Sequence, residues 1–230
     1  MLKPKKKISK KEIKEDKLVT TYYNATTWYR NNKKLVSGIL TGVVILAIVI
    51  FAYVNNVKAN NEKATTELGK ILPYFDQQKF DVAINGNLQE NVRGLQAIVN
   101  DYGSTRAGEL AKFYLAGSYF ALGDYDKALQ YYLAVSVSDE LVTASAEAGA
   151  AACYATKGDH QAAATYYERA ALKSSKDLNT PENLFHAAEN YAAAGKKEKA
   201  LDLYRKLKKD FPTSTYAREV DRWIAEANNT

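Results

Sequence analysis

Residues 115–132 read LAGSYFALGDYDKALQYY, and the pattern returns as AAACYATKGDHQAAATYY at 150–167 and AAENYAAAGKKEKALDLY at 187–204. The three segments align without a gap. Their glycines, Gly123, Gly158 and Gly195, fall 35 and 37 residues apart, a spacing close to that of helical-hairpin arrays, about 34 residues. The aligned positions are Tyr119, Tyr154 and Tyr191, then Ala128, Ala163 and Ala200, then Tyr132, Tyr167 and Tyr204. Such a unit is two helices joined at the glycine. A small Ala lets the helices approach, the tyrosines fill the space between them, and Gly takes the left-handed conformation that a tight inter-helix turn needs.

Working upstream, LQAIVNDYGSTRAGELAKFYLA at 95–116 lines up with YRKLKKDFPTSTYAREVDRWIA at 204–225, matching Tyr102-Gly103 to Phe211-Pro212. Each is the end of one hairpin leading into the next helix. The pattern predicts an opening helix over 59–72, a second over 73–84 with Pro73 as kink or boundary, and a third over 87–101 completing a first, irregular unit. Clear repeats follow at 109–142, 144–177 and 181–214. Residues 215–227 then set Ala217, Val220, Ile224 and Ala227 on one face, as a helix capping the stack would. No strand-like alternation of useful length occurs, so the fold class is all-α: an α-solenoid of hairpins over 59–230 whose repeats bury a continuous core only together.

Ahead of this domain, Leu35 to Val54 reads LVSGILTGVVILAIVIFAYV, without a charge. A helix of this length spans about 30 Å, the depth of a bilayer core, so 35–54 is expected to be a transmembrane helix. Residues 1–34 carry eleven Lys or Arg against three Asp or Glu, which by the positive-inside rule sets the N-terminus in the cytoplasm and the repeats on the far side. The whole chain is +6 and this tail +8, leaving −2 for the rest; the basic character belongs to the tail. The tail is expected to be disordered, serving orientation or contact with anionic lipid head groups or RNA. Tyr22, Tyr23, Trp28 and Tyr29 are expected as interfacial aromatics. Val57-Lys58-Ala59 offers a weak signal-peptide cleavage site, but so long a tail before a full-length span favours an uncleaved anchor.

The repeat resembles the tetratricopeptide family, with Gly123-Asp124-Tyr125-Asp126 a close match. It departs from the family pattern in carrying Ala116, Ala151 and Ala188 for the usual small Gly, and Lys112, Glu147 and Leu184 for the usual Trp. The resemblance implies that the first helices of the hairpins line a concave partner groove. Carried over residue by residue, its positions are Phe113, Gly117 and Phe120, then Ala148, Ala152 and Ala155, then Phe185, Glu189 and Ala192. Phe113 and Phe120 fit partner contact and internal packing equally, while Phe185, beside His186 and one turn before Glu189, is expected at the surface.

Chemistry-bearing clusters are missing from the sequence. Cys153, His160 and His186 lack metal-ligand spacing, and a lone Cys cannot form an internal disulfide. Cys153 is expected to pack. There is no Gly-rich phosphate loop, nucleophile elbow or paired-acid motif, so no enzyme activity, cofactor or metal is expected. Architecture adds a narrower likeness. A basic tail, one span and an outer repeat domain, with DVAINGN at 81–87 and the stretch 101–129, resemble the YfgM-like family of ancillary Sec translocon subunits. That resemblance implies a single-pass protein of the bacterial inner membrane whose periplasmic domain meets translocon subunits, a membrane-bound chaperone or secreted chains. A scaffold for envelope assembly or division is the alternative.

Overall fold

The computed structural model describes residues 10–173 and 178–229, with side chains left undescribed at 10–16, 221 and 225–229. The chain divides into two units, one up to Asn56 and one from Val57 onward. In the first, α1 (Lys10–Asn31) corrects the expectation of a disordered tail over that stretch, while residues 1–9 lie outside the described residues. The helix carries only scattered apolar side chains, and Tyr22, Tyr23, Trp28 and Tyr29 are all exposed. Then comes α2 (Lys33–Asp76), which contains the apolar run. From Leu35 to Val54 its large apolar residues other than the half-buried Val36 are 53–68% exposed, and the helix is long and apolar enough to cross a membrane.

In the second unit, the last stretch of α2 begins the core. Ala64, Leu68 and Ile71 share one face by their i, i+4, i+7 spacing and are buried. Pro73 does not end the helix. It sits three residues from the C-terminus, where the backbone bond it forfeits is among the last, so the boundary moves to Asp76. Next come α3 (Phe80–Asn85), the strands β1 (Gly86–Asn87) and β2 (Val92–Arg93), and α4 (Leu95–Tyr102). The two strands pair antiparallel, Gly86 with Arg93 and Asn87 with Val92. The helix predicted over 87–101 is thus replaced at its start by a hairpin. Its loop is set by the Asn87 side chain, which accepts from the Gln89 and Glu90 N–H groups, and by Asn91 at φ 54°. Together α2, α3, α4 and the following helix enclose Leu68, Ile71, Ile84, Leu95, Ile98 and Leu115.

Three hairpins complete the array: α5 (Arg106–Ala121) with α6 (Tyr125–Ala134), α7 (Glu140–Thr156) with α8 (His160–Lys173), and α9 (Thr180–Ala193) with α10 (Lys197–Asp210). Each turn is built alike. Gly123, Gly158 and Gly195 take φ of 81°, 81° and 76°. Their N–H groups and those of the residues after them bond back to Phe120 and Tyr119, Ala155 and Tyr154, and Ala192 and Tyr191, the paired bonds of a Schellman cap. Asp124 and Asp159 then cap the next helix by accepting from the Lys127 and Ala162 N–H groups. Lys196 takes the same place in the third turn and gives no side-chain cap.

The aligned alanines Ala128, Ala163 and Ala200 are fully buried. Beside them Tyr119 stacks on Tyr131 at 5.8 Å and Tyr154 on Tyr166 at 5.3 Å between centroids, while the third hairpin buries Tyr191 and Tyr204 outright. The stack closes with α11 (Thr215–Asn229), whose Ala217 and Val220 join Leu184, Tyr204 and Leu207 in the C-terminal core. The interfaces α5·α6, α7·α8 and α9·α10 follow in sequence, and α7 also meets α5 and α6, as expected where each hairpin packs only on its neighbours.

Candidate protein-interaction groove

The first helices of the hairpins, α5, α7 and α9, supply all nine carried-over positions, and the structure sorts these into three groups. At the N-terminal end the surface is occupied from within. Phe75, on the last turn of α2, lies where a Cβ on Gly117 would meet its ring at 3.4 Å, and it packs edge-on against Tyr114 at 5.1 Å between centroids. Phe113 is half-buried against Tyr132, and Phe120 against Tyr125. These residues make internal contacts and keep part of their surface exposed.

In the middle, Ala148, Ala152 and Ala155 are half-buried along α7. Gly149 beside them brings the helix so close to α6 that an added Cβ would lie 2.4 Å from the Tyr132 ring. Cys153 is fully buried, and burial pushes its thiol up to about 11. It is a packing residue, not a nucleophile.

At the C-terminal end the expectation for Phe185 is corrected. It is 6% exposed, ringed by Tyr204, Tyr216 and Trp223 at 5.3–6.0 Å between centroids. Its position on α9 faces outward in an isolated hairpin, but α11 covers it. Ala192 likewise packs against this core. Glu189 is half-buried and acts with residues that the family positions did not include.

Here a cleft of about 290 Å³ opens between α7 and α9. Ala144, Ser145 and Ala148 line one side, Asn179, Glu182, Asn183 and His186 the other, with Tyr167 between. The His186 Nδ1 lies 2.9 Å from Glu189 Oε2, and its Nε2 lies 3.8 Å from Glu182 Oε1. The Glu189 bond raises the imidazole pKa above its ordinary value, outweighing the opposing effect of burial, and both carboxylates add to it. The ring lies 5.3 Å from that of Tyr167 and 6.2 Å from that of Tyr216. Burial, then Glu182, push Tyr167 up to about 12, and the same two causes raise Tyr216. The i−4 and i+3 spacing of Glu182 and Glu189 about His186 was the sequence signal for this cluster. Among the described residues no group of three His, Cys, Asp or Glu is placed to hold a metal ion.

On the opposite side of α7, Glu147 is 8% exposed and its Oε1 receives both Arg169 and Lys173, while Oε2 has no partner among the described residues. These residues border a second cleft, of about 340 Å³, against Tyr132 and Tyr166.

Comparison with known proteins agrees with this architecture. The tetratricopeptide repeat family model TPR_6 matches residues 110–136 and 182–214. No curated protein matches the chain. Among solved structures, the nearly identical TPR-like repeats assigned to a kinesin light chain of Podosopora anserina superpose with a TM-score of 0.53 at 17% identity, over 74% of this chain and 87% of that one. A single-substitution variant of those repeats gives a TM-score of 0.53 at 16% identity, over 74% and 86%. At such identities the likeness is one of fold. The chain therefore carries tetratricopeptide-type repeats in a solenoid, an architecture that generally serves as a non-catalytic scaffold for protein partners.

Proposed function

We propose that this protein is a membrane-tethered interaction module whose repeat domain works at the Sec translocon of the bacterial inner membrane, as the YfgM-like resemblance implies. The single apolar run of α2 is its anchor, the basic tail holds the N-terminus in the cytoplasm, and the repeats lie in the periplasm. Tethering raises the local concentration of the groove beside other membrane proteins, so modest contacts suffice for handover of secreted chains to or from a membrane-bound chaperone. The observation that carries this reading is the open α7–α9 cleft, floored by small side chains and edged by polar ones, on the face that tetratricopeptide-type arrays present to partners.

The test is in-cell photocrosslinking from Ala148 in the cleft, with a probe at Phe120 for comparison. Capture of translocon subunits, a membrane chaperone or secreted chains from position 148 supports the reading. Reproducible capture of one envelope-assembly or division protein, without translocon contact, replaces it with the scaffold alternative.

A further inference from the structure

The α7–α9 cleft has a chemical bias that narrows what can occupy it. Glu182 and Glu189 share one imidazole, so even a protonated His186 leaves a net negative charge between them. Among the described residues, none that lines the cleft is Lys or Arg. Glu182 and Tyr167 line the cleft, Glu189 is linked to it through His186, and the Tyr167 and Tyr216 rings lie 5.3 and 6.2 Å from that of His186. Carboxylates beside aromatic faces suit a flat guanidinium or an ammonium with an aliphatic stem, which pairs with the former and stacks on the latter. Across the cleft Ala144, Ser145 and Ala148 leave room for such a stem.

A separate observation concerns Asn183. It lines this cleft, is 7% exposed, and its side-chain amide has no hydrogen-bond partner among the described residues. The amide faces the cleft, where its donor and acceptor edges match the N–H and C=O of a peptide main chain.

We propose that the cleft receives an extended segment of a partner protein bearing an arginine or lysine, whose main chain pairs with Asn183 and whose cation is received by Glu182 and Glu189. This rests on the groove being a protein-interaction surface and names the chemistry of what that surface selects. His186 holds the two carboxylates in place while the cleft is empty, and the incoming cation takes over its partners.

The test applies the full chain, in detergent micelles, to an array of short peptides of varied background in which one central position is Arg, Lys, Gln or Glu. Signal for Arg and Lys is expected to exceed that for Gln by about tenfold, the effect of a charge pair in a partly desolvated site. The pair Glu182→Gln and Glu189→Gln should remove this preference. Asn183→Ala should weaken all peptides alike. An array blind to the central charge, or a cation preference that survives in the double variant, overturns the proposal and leaves the groove reading intact. Signal no greater than that of a variant blocked by Ala148→Trp overturns both.

Discussion

Gly108→Ala and Gly117→Ala make the same chemical change on one helix, and the structure gives them opposite signs. Each gains about 0.8–1.0 kcal/mol of helix propensity. At Gly117 the new Cβ meets the Phe75 ring at 3.4 Å and the Tyr132 hydroxyl at 3.6 Å, ordinary contact distances. The gain survives, and stability should rise by about 0.5–1 kcal/mol. At Gly108 the Cβ would lie 1.8 Å from the Tyr102 carbonyl oxygen, 2.4 Å from its carbon and 2.8 Å from the Gly103 Cα. These are main-chain atoms of the α4–α5 turn, pinned by Thr105, whose hydroxyl donates to the Tyr102 carbonyl and accepts from the Gly108 N–H. Relief means opening that turn by more than about 1 Å, at the upper end of the 1–3 kcal/mol typical of overpacking, for a net loss of about 2 kcal/mol. The two variants should therefore differ by about 3 kcal/mol, or about 6–12 °C in Tm for a unit of this size. Thermal unfolding of the full chain in one detergent, followed by circular dichroism, measures the difference. Equal midpoints would refute the close approach at Gly108.

Four further outcomes follow from named groups. Because Glu189 raises the His186 pKa in the folded protein, the stabilisation by His186 is fully present below the ordinary imidazole value of about 6.5 and is lost as pH rises through the higher folded value. Urea midpoints of the wild type should accordingly fall relative to His186→Gln between about pH 6 and 8, and parallel profiles would contradict the pairing. Glu147→Leu, matching Leu184 in the third repeat, should be neutral or stabilising by about 1 kcal/mol. The double change Arg169→Ala and Lys173→Ala should cost about 2 kcal/mol by stranding a buried carboxylate; chemical denaturation of both variants decides it. Lys196→Asp should supply the helix cap that Asp124 and Asp159 provide in the other turns, adding about 1 kcal/mol, and a lower urea midpoint would rule that out.

What the sequence revealed depended on whether a residue's surroundings lay within its own repeat. The turn glycines, the buried alanines and the tyrosines are fixed by contacts inside a hairpin, so aligning three copies exposed them. The 86–93 hairpin carries no repeat, and its two-residue strands are too short to alternate, leaving only Asn87 and Asn91 as local turn signals. The carried-over groove positions erred where a neighbour unique to one end intervenes: Phe75 over Gly117, and Trp223 and Tyr216 over Phe185. Periodicity reports which face a side chain occupies, not what lies on that face. Glu189 was legible, and its link to Glu182 through His186 follows from spacing on α9 alone, but the cleft that Glu182 and Asn183 line depends on how α7, α8 and α9 stack.

The C-terminal helix also sets a clock on the chain's maturation. Phe185, Tyr204 and Leu207 belong to the third hairpin, yet the surface that covers them belongs to α11, a segment synthesised after them. Chains tend to fold from the N-terminus as they emerge, so the earlier hairpins can pack in order while this apolar face stays bare until α11 has followed. Any process that stalls or clips the chain ahead of α11 leaves three packed hairpins with an adhesive apolar face, which quality-control factors recognise by that face alone.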